Sequence, residues 1–322
     1  MRSGEYQFIF DLLGAGLYGR AVSMPKAVNW GKVGRELELQ TVAALPADVI
    51  CSFSGVSQAV KERWKQISCK HFARWTQLLH VQNQLIQLME RSHIPLVILK
   101  GTAAAMYYPA PQCRTMGDID LLVPRQNYEA ALALMVKNGY VLTEQEEHHH
   151  TLVRDGIMFK LHRGLEMVSE DAEGKALTHY VKKGLMQREW HLLDEYRMPV
   201  MPWLPNGLVL LHHIRQHLRG GLGLRQILDW MMFVEKELHD ERYPWFYAAV
   251  KSTGLEQLAI CVTRMCQLFL GLEEEGIRWC AKAEERVCRE LMAYVMEKPI
   301  HALLRDIRAS KRRRRFFQKL YS

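Results

Sequence analysis

The sequence has no apolar run approaching the roughly 20 residues that a membrane-spanning helix needs; its hydrophobic stretches are short and interrupted. It has no C-x-x-C pair either. Its seven cysteines (Cys51, Cys69, Cys113, Cys261, Cys266, Cys280 and Cys288) are scattered and odd in number, which argues against a disulfide framework or a zinc site and for free thiols in a reducing cytosol. No secretion signal is legible, because Met1-Arg-Ser-Gly-Glu-Tyr-Gln7 leads into only a short apolar stretch without a small-residue cleavage site. A cytoplasmic protein is therefore expected. Repeats of solenoid period are missing, and the one biased segment is the C-terminal tail. The body of the chain also lacks excess charge. The net charge is +8, but eight Lys/Arg against one Asp lie between Arg305 and Ser322, leaving the remainder near +1. Affinity for a polyanion, either nucleic acid or an anionic membrane, is thus expected chiefly of that tail, whose Lys311–Arg315 run is followed by Phe316, Phe317 and Tyr321.

What is present is an ordinary globular composition, 48% hydrophobic over 322 residues, ample for a buried core. Apolar periodicity predicts helices over Glu5–Leu17, over Trp30–Val42 after Asn29, and along Ser57–Arg91 as one long helix or two. From about residue 94 the pattern changes. Leu96–Leu99 reads as a strand, Lys100-Gly101-Thr102 as a turn, and Ala103–Tyr108 as a short helix closed by Pro109. A second strand carries Asp118 and Asp120, and Gln126–Asn138 is amphipathic. Further strands are expected around Tyr140–Leu142, Thr151–Val153 and Ile157–His162, the last two joined by an Arg154-Asp155-Gly156 hairpin turn. Beyond Glu170 the chain reads as mostly helical: a Pro-punctuated link at Pro199, Pro202 and Pro205, then helices at Leu208–Leu218, Leu224–Leu238, Pro244–Leu270 and Glu273–Glu297.

The chemistry concentrates between Leu96 and Val123. Successive strand side chains alternate in direction, so Asp118 and Asp120 project from one face while Ile119 and Leu121 take the other. Two carboxylates held this close repel, and a divalent cation between them removes that cost; oxygen donors suit Mg²⁺, which completes its shell with water and phosphate. The Lys100-Gly101-Thr102 turn precedes a helix whose first N–H groups are unpaired, a setting that attracts phosphate, and Lys100 adds a full positive charge. Arg114, in the connecting loop, has the fork geometry for phosphate oxygens. Together these residues describe a triphosphate-and-Mg²⁺ site.

Histidines elsewhere read as structural. Consecutive residues of an extended His148-His149-His150 segment face alternately, so the three cannot chelate one ion. His213 and His217 have a ligand spacing but no general base beside them. Arg225 and Asp229 are placed for an i,i+4 salt bridge on a helix.

The pattern Leu99-Lys100-Gly101, then Tyr108-Pro109, Arg114 and Gly117-Asp118-Ile119-Asp120-Leu-Leu-Val123 resembles the uncharacterised nucleotidyltransferase family within the polymerase-beta-like superfamily. Asn29-Trp30, Leu45-Pro46, Lys160-Leu161-His162 and Gly221–Asp229 extend the likeness over about residues 8–300. The resemblance implies an α+β fold, a small mixed β-sheet core at 94–169 between helical regions at 1–93 and 170–304, with the basic tail at 305–322. It implies transfer of a nucleoside monophosphate from an NTP to an acceptor hydroxyl on a protein, an RNA or a small molecule, with Mg²⁺, or Mn²⁺ in its place. Asp118 and Asp120 would be the catalytic metal ligands, and Lys100, Gly101, Thr102 and Arg114 the nucleotide contacts. His162 and Arg225 would be accessory. Lys160 departs from the family pattern: it stands where a third carboxylate is expected, and its ammonium cannot ligate a metal. A catalytically impaired nucleotide-binding protein is the alternative that this departure raises.

Overall fold

The computed structural model describes residues 3–297. In chain order the elements are α1 (Ser3–Tyr18), α2 (Trp30–Leu39), α3 (Ala47–Ser52), α4 (Gln58–Arg91), β1 (Val97–Leu99), α5 (Gly101–Ala105), β2 (Ile119–Leu122) and α6 (Tyr128–Lys137). There follow β3 (Val141–Gln145), β4 (His149–Arg154), β5 (Ile157–His162), α7 (Ala172–Met186), β6 (Glu189–Leu193), β7 (Tyr196–Val200), α8 (Trp203–Gly220), α9 (Leu224–Glu237), α10 (Tyr243–Ser252), α11 (Glu256–Phe269) and α12 (Glu285–Glu297). The fold is mixed α+β. Its described segments pack as two units, one of residues 3–72, 107–115 and 210–297, the other of residues 73–106 and 116–209.

The second unit is built on a five-stranded sheet of order β1-β2-β5-β4-β3, in which β2 and β5 are parallel and the other neighbours antiparallel. Register and alternation divide its residues between two faces. Ile98, Ile119, Leu121, Leu152, Ile157, Phe159 and Leu161 share one face and join a buried cluster with Trp75, Leu78, Leu85 and Met89 of α4 and Tyr128, Ala131 and Met135 of α6. Burial of these apolar side chains, each contributing about 1.5–3 kcal/mol relative to exposure, holds the sheet to its helices. The opposite face carries Asp120, Lys160, His162, Thr151 and His149, because Asp120 is paired with Lys160, Thr151 with Lys160, and His149 with His162. One face thus makes the core and the other carries the polar groups.

Several local expectations hold. Asn29 caps α2 by accepting from the Lys32 amide at 3.0 Å. The β4–β5 hairpin turns on Asp155 and Gly156, at φ +51° and +71°, the left-handed pair that a two-residue turn matched to strand twist requires. The stretch read as one long helix or two is the single helix α4, Gln58–Arg91.

Four expectations are corrected. The short helix starts at Gly101 and ends at Ala105, before the tyrosines. The Pro-rich link after α7 contains a hairpin, β6 with β7, in which Pro199 pairs with Trp190. A two-stranded ribbon has only edge strands, where a missing N–H is tolerated, so proline there did not preclude a strand. The segment 244–270 is two helices, α10 and α11, divided at Gly254, whose φ of +63° ends the first. Finally, α12 begins at Glu285 rather than Glu273. Left-handed Gly271 and Gly276 break the preceding segment, and Asp240 Oδ1 accepts from the Arg278 and Trp279 amides at 2.7 and 3.2 Å.

In the first unit, Trp230 and Phe233 of α9 and Phe246 of α10 form an aromatic cluster, with Trp230 Nε1 donating to Thr263 Oγ1 at 2.8 Å. The cysteines are free, as expected. Among the described residues no helix is long and apolar enough to cross a membrane. The basic tail at 305–322 lies outside the described residues.

Candidate active site

Lys100, the residue before α5, has φ +48°, and Gly101 has φ +41°. For a residue with a side chain this is sparsely allowed backbone, costing about 1–3 kcal/mol. At Gly101 an added Cβ would meet only ordinary contacts, 3.6 Å to Met116 and 3.7 Å to the Asp118 carbonyl, so its glycine is called for by the backbone angle and not by space. The turn delivers the Lys100 Nζ to 3.1 Å from Asp120 Oδ1. From the parallel neighbour β5, His162 Nε2 reaches the same oxygen at 2.8 Å. Two residues earlier on that strand, Lys160 Nζ lies 3.0 Å from Asp118 Oδ2. Both carboxylates at the start of β2 are therefore held by ammonium groups.

The two aspartates differ in setting. Asp118 is about one-third exposed, whereas Asp120 is buried. Burial alone would raise the Asp120 pKa; Lys100, the His162 hydrogen bond and Lys160 outweigh it and hold the carboxyl well below the usual range. Burial would likewise lower the Lys160 pKa, and Asp118 with Asp120 more than reverse it, so the amine stays charged. A buried carboxylate kept ionised among cations, on the sheet face opposite the core, is an arrangement that functional sites share with structural ion-pair networks. The model of the uncharacterised nucleotidyltransferase family matches residues 26–271, which include every residue of this cluster.

The chain belongs to that family.

Nucleotidyl transfer is accordingly the general activity that membership of this family supports. Solved structures resemble the chain more distantly. The solution structure of the antibiotic-resistance factor ANT(2'')-Ia has a TM-score of 0.40 at 12% identity, over 55% of this chain and 92% of that one. The crystal structure of ANT(2'')-Ia with adenylyl-2''-tobramycin gives 0.38 at 11%, over 55% and 98%. An antigenic nucleotidyltransferase-like protein from Paracoccidioides brasiliensis gives 0.37 at 14%, over 62% and 96%. No curated protein matches the chain.

The other residues singled out from the sequence are placed as follows. Thr102 is buried, and its hydroxyl donates to Gln82 Oε1 of α4 at 2.7 Å, tying the turn to the long helix. Arg114 belongs to the first unit. Its fork is applied to a carboxylate, Nε to Asp229 Oδ1 at 2.7 Å and Nη2 to Oδ2 at 2.6 Å, and Tyr108 donates to the same Oδ1 at 2.9 Å. Burial and the Asp229 charge push the Tyr108 phenol up, so it remains a donor. Arg225 Nη1 donates to the Thr115 carbonyl at 3.4 Å. His213 and His217 hydrogen-bond each other, Nε2 to Nε2 at 2.9 Å.

Sequence reasoning missed the part played by His149 and Glu166. Alternation does split the histidine triplet, with His150 bonded to Tyr128 of α6. His149 alone turns to the polar face, where its Nδ1 is 2.8 Å from Glu166 Oε1. Burial and the neighbouring His162 lower the His149 pKa. The signal that would have set His149 beside His162 is register: with a two-residue turn at 155–156, His149 falls directly opposite His162.

Proposed function

We propose that the protein moves a nucleoside monophosphate from an NTP to an acceptor hydroxyl at the polar end of β2. The observation that carries this reading is the buried, ionised Asp120 beside Asp118, each already matched to a cation within 3.1 Å. The donor set fits one hard divalent cation: Asp118 and Asp120 offer carboxylate oxygens and would hold Mg²⁺ or Mn²⁺. When bound, the ion would neutralise phosphate charge. A second ion of the same kind lacks its carboxylate, because Lys160 stands across from Asp120 in the parallel register.

Lys100, paired with Asp120 in the metal-free protein, would hold triphosphate oxygens through its ammonium. Lys160 supplies positive charge on the other side of the carboxylate pair, where developing charge on the transferred phosphoryl group needs it. His162, hydrogen-bonded to Asp120, fixes that carboxylate's orientation. The acceptor oxygen then bonds to the α-phosphorus, its proton passing to solvent water, as the bond to pyrophosphate breaks. The nucleobase is left open by this reading, as is the acceptor's class: protein, RNA or small molecule.

A second reading, nucleotide binding without turnover, is favoured by one observation, the Lys160–Asp118 ion pair. The deciding experiment is a Mg²⁺-dependent incubation of α-labelled NTPs with cell lysate. Transfer reading in hand, wild type labels an acceptor and Asp118→Ala/Asp120→Ala does not. Identical labelling by both proteins sinks the transfer reading. NTP binding by calorimetry without any labelling, together with labelling gained by Lys160→Glu, establishes the second.

A further inference from the structure

The polar face of the sheet carries a second group of ligating atoms beside the aspartates. His149 of β4 and His162 of β5 are directly opposed in the antiparallel register, so both imidazoles stand on one face with ring centroids 5.1 Å apart. The chain returns over them four residues beyond His162. There Glu166 Oε1 lies 2.8 Å from His149 Nδ1 and 3.6 Å from His162 Nδ1. One ligand atom from each of the three residues falls within 4.8 Å of the others. Atoms bound to one tetrahedral ion at about 2.0–2.1 Å stand about 3.3 Å apart, between the two separations measured here.

Two further features point to a ligand. Both histidines are 4% exposed, and His149 Nδ1, although close to Glu166, has no hydrogen bond of acceptable geometry. A buried ring nitrogen in that state calls for a partner. In addition, His162 turns its other nitrogen, Nε2, to Asp120 Oδ1 at 2.8 Å. A carboxylate that accepts a hydrogen bond from Nε2–H fixes the tautomer and leaves Nδ1 as a lone-pair donor, the arrangement in which metal-bound histidines are commonly held.

We propose that His149, His162 and Glu166 bind a Zn²⁺-class transition-metal ion, with Asp120 as the carboxylate that orients His162. Imidazole nitrogens select such ions over Mg²⁺, and three protein ligands leave a position open for water or an anion. This centre differs in donor type from the Asp118–Asp120 pair, and the Asp120–His162 hydrogen bond joins the two. The assignment does not depend on nucleotidyl transfer, since no nucleotide takes part in it.

The test uses the full-length protein, stripped of metal by a chelator, dialysed and titrated with Zn²⁺ alone by calorimetry, with X-ray absorption on the loaded form. Wild type is expected to take one tight equivalent with nitrogen and oxygen ligation and no sulfur. Asp120→Asn should weaken binding by about 10–100-fold, and His149→Ala and Glu166→Gln by more. Glu166 sits in a loop, about one-third exposed, so its variant is expected to fold, which circular dichroism checks. Asp118→Asn should leave Zn²⁺ affinity unchanged. The proposal is overturned if wild type takes up no tight equivalent, if sulfur enters the coordination shell, if Glu166→Gln and His149→Ala bind as wild type does, or if Asp118→Asn abolishes binding.

Discussion

Replacing Lys160 by glutamate tests whether its ammonium occupies ground that a cation would otherwise take. The Lys160–Asp118 pair is 3.0 Å long, with each side chain about one-third exposed, so solvent screening limits its contribution to about 1 kcal/mol. Lys160→Glu removes that attraction and sets a third carboxylate against Asp118 and Asp120, a repulsion of similar size. The metal-free variant should lose about 2 kcal/mol, a fall in Tm of roughly 3 °C for a chain of 322 residues. Added Mg²⁺ should then recover the loss, because a ligand that binds only the folded state at 100 times its Kd stabilises by about 2.7 kcal/mol. Lys160→Met, which loses the attraction and adds no repulsion, should fall about half as far and show no greater Mg²⁺ response than wild type. Melting followed by calorimetry in chelator and in Mg²⁺ separates the three proteins. If Lys160→Glu melts with wild type in chelator, or if its Mg²⁺ shift equals the wild-type shift, Lys160 does not stand in for a cation.

Removing Arg114 as Arg114→Ala should cost about 3–5 kcal/mol in urea unfolding, since Asp229 would keep a buried charge without its fork. The double variant Arg114→Met/Asp229→Leu should lie nearer wild type than the single one; a single-variant loss under about 1 kcal/mol would show that the fork holds little together. Stability should also depend on pH in two windows. His149 has a lowered folded pKa, so between that value and about 6.5 only the unfolded chain takes the proton, and stability present above about pH 6.5 erodes as pH falls below it. Asp120, held well below the usual range, adds stability present above about pH 4 and lost on further acidification. His149→Gln should flatten the first window and leave the second; equal slopes in both proteins between pH 7 and 5 would count against the assignment to His149.

Local rules made much of the site legible. Alternation along one strand put Asp118 and Asp120 together, the Lys-Gly turn announced a special backbone, and Asp155-Gly156 announced a hairpin. Each of these depends on residues within a few positions of one another, so propensity and period suffice. The β6–β7 hairpin escaped because three prolines look like a linker until the strand proves to be an edge. The division between α10 and α11 escaped because one glycine in an apolar period does not declare its φ.

The sequence by itself determined an α+β chain with two adjacent carboxylates behind a Lys-Gly turn, and the family to which that pattern belongs. Tertiary structure alone decided which charges meet them. Lys160 lies forty residues beyond Asp120, yet a parallel register sets the two side by side. Arg114 finds Asp229 across 115 residues of chain. His149, His162 and Glu166 converge because a hairpin register and a returning loop bring three backbones to one face. Such pairings depend on strand order and on which face the core occupies, and these emerge only once the apolar side of the sheet has been buried.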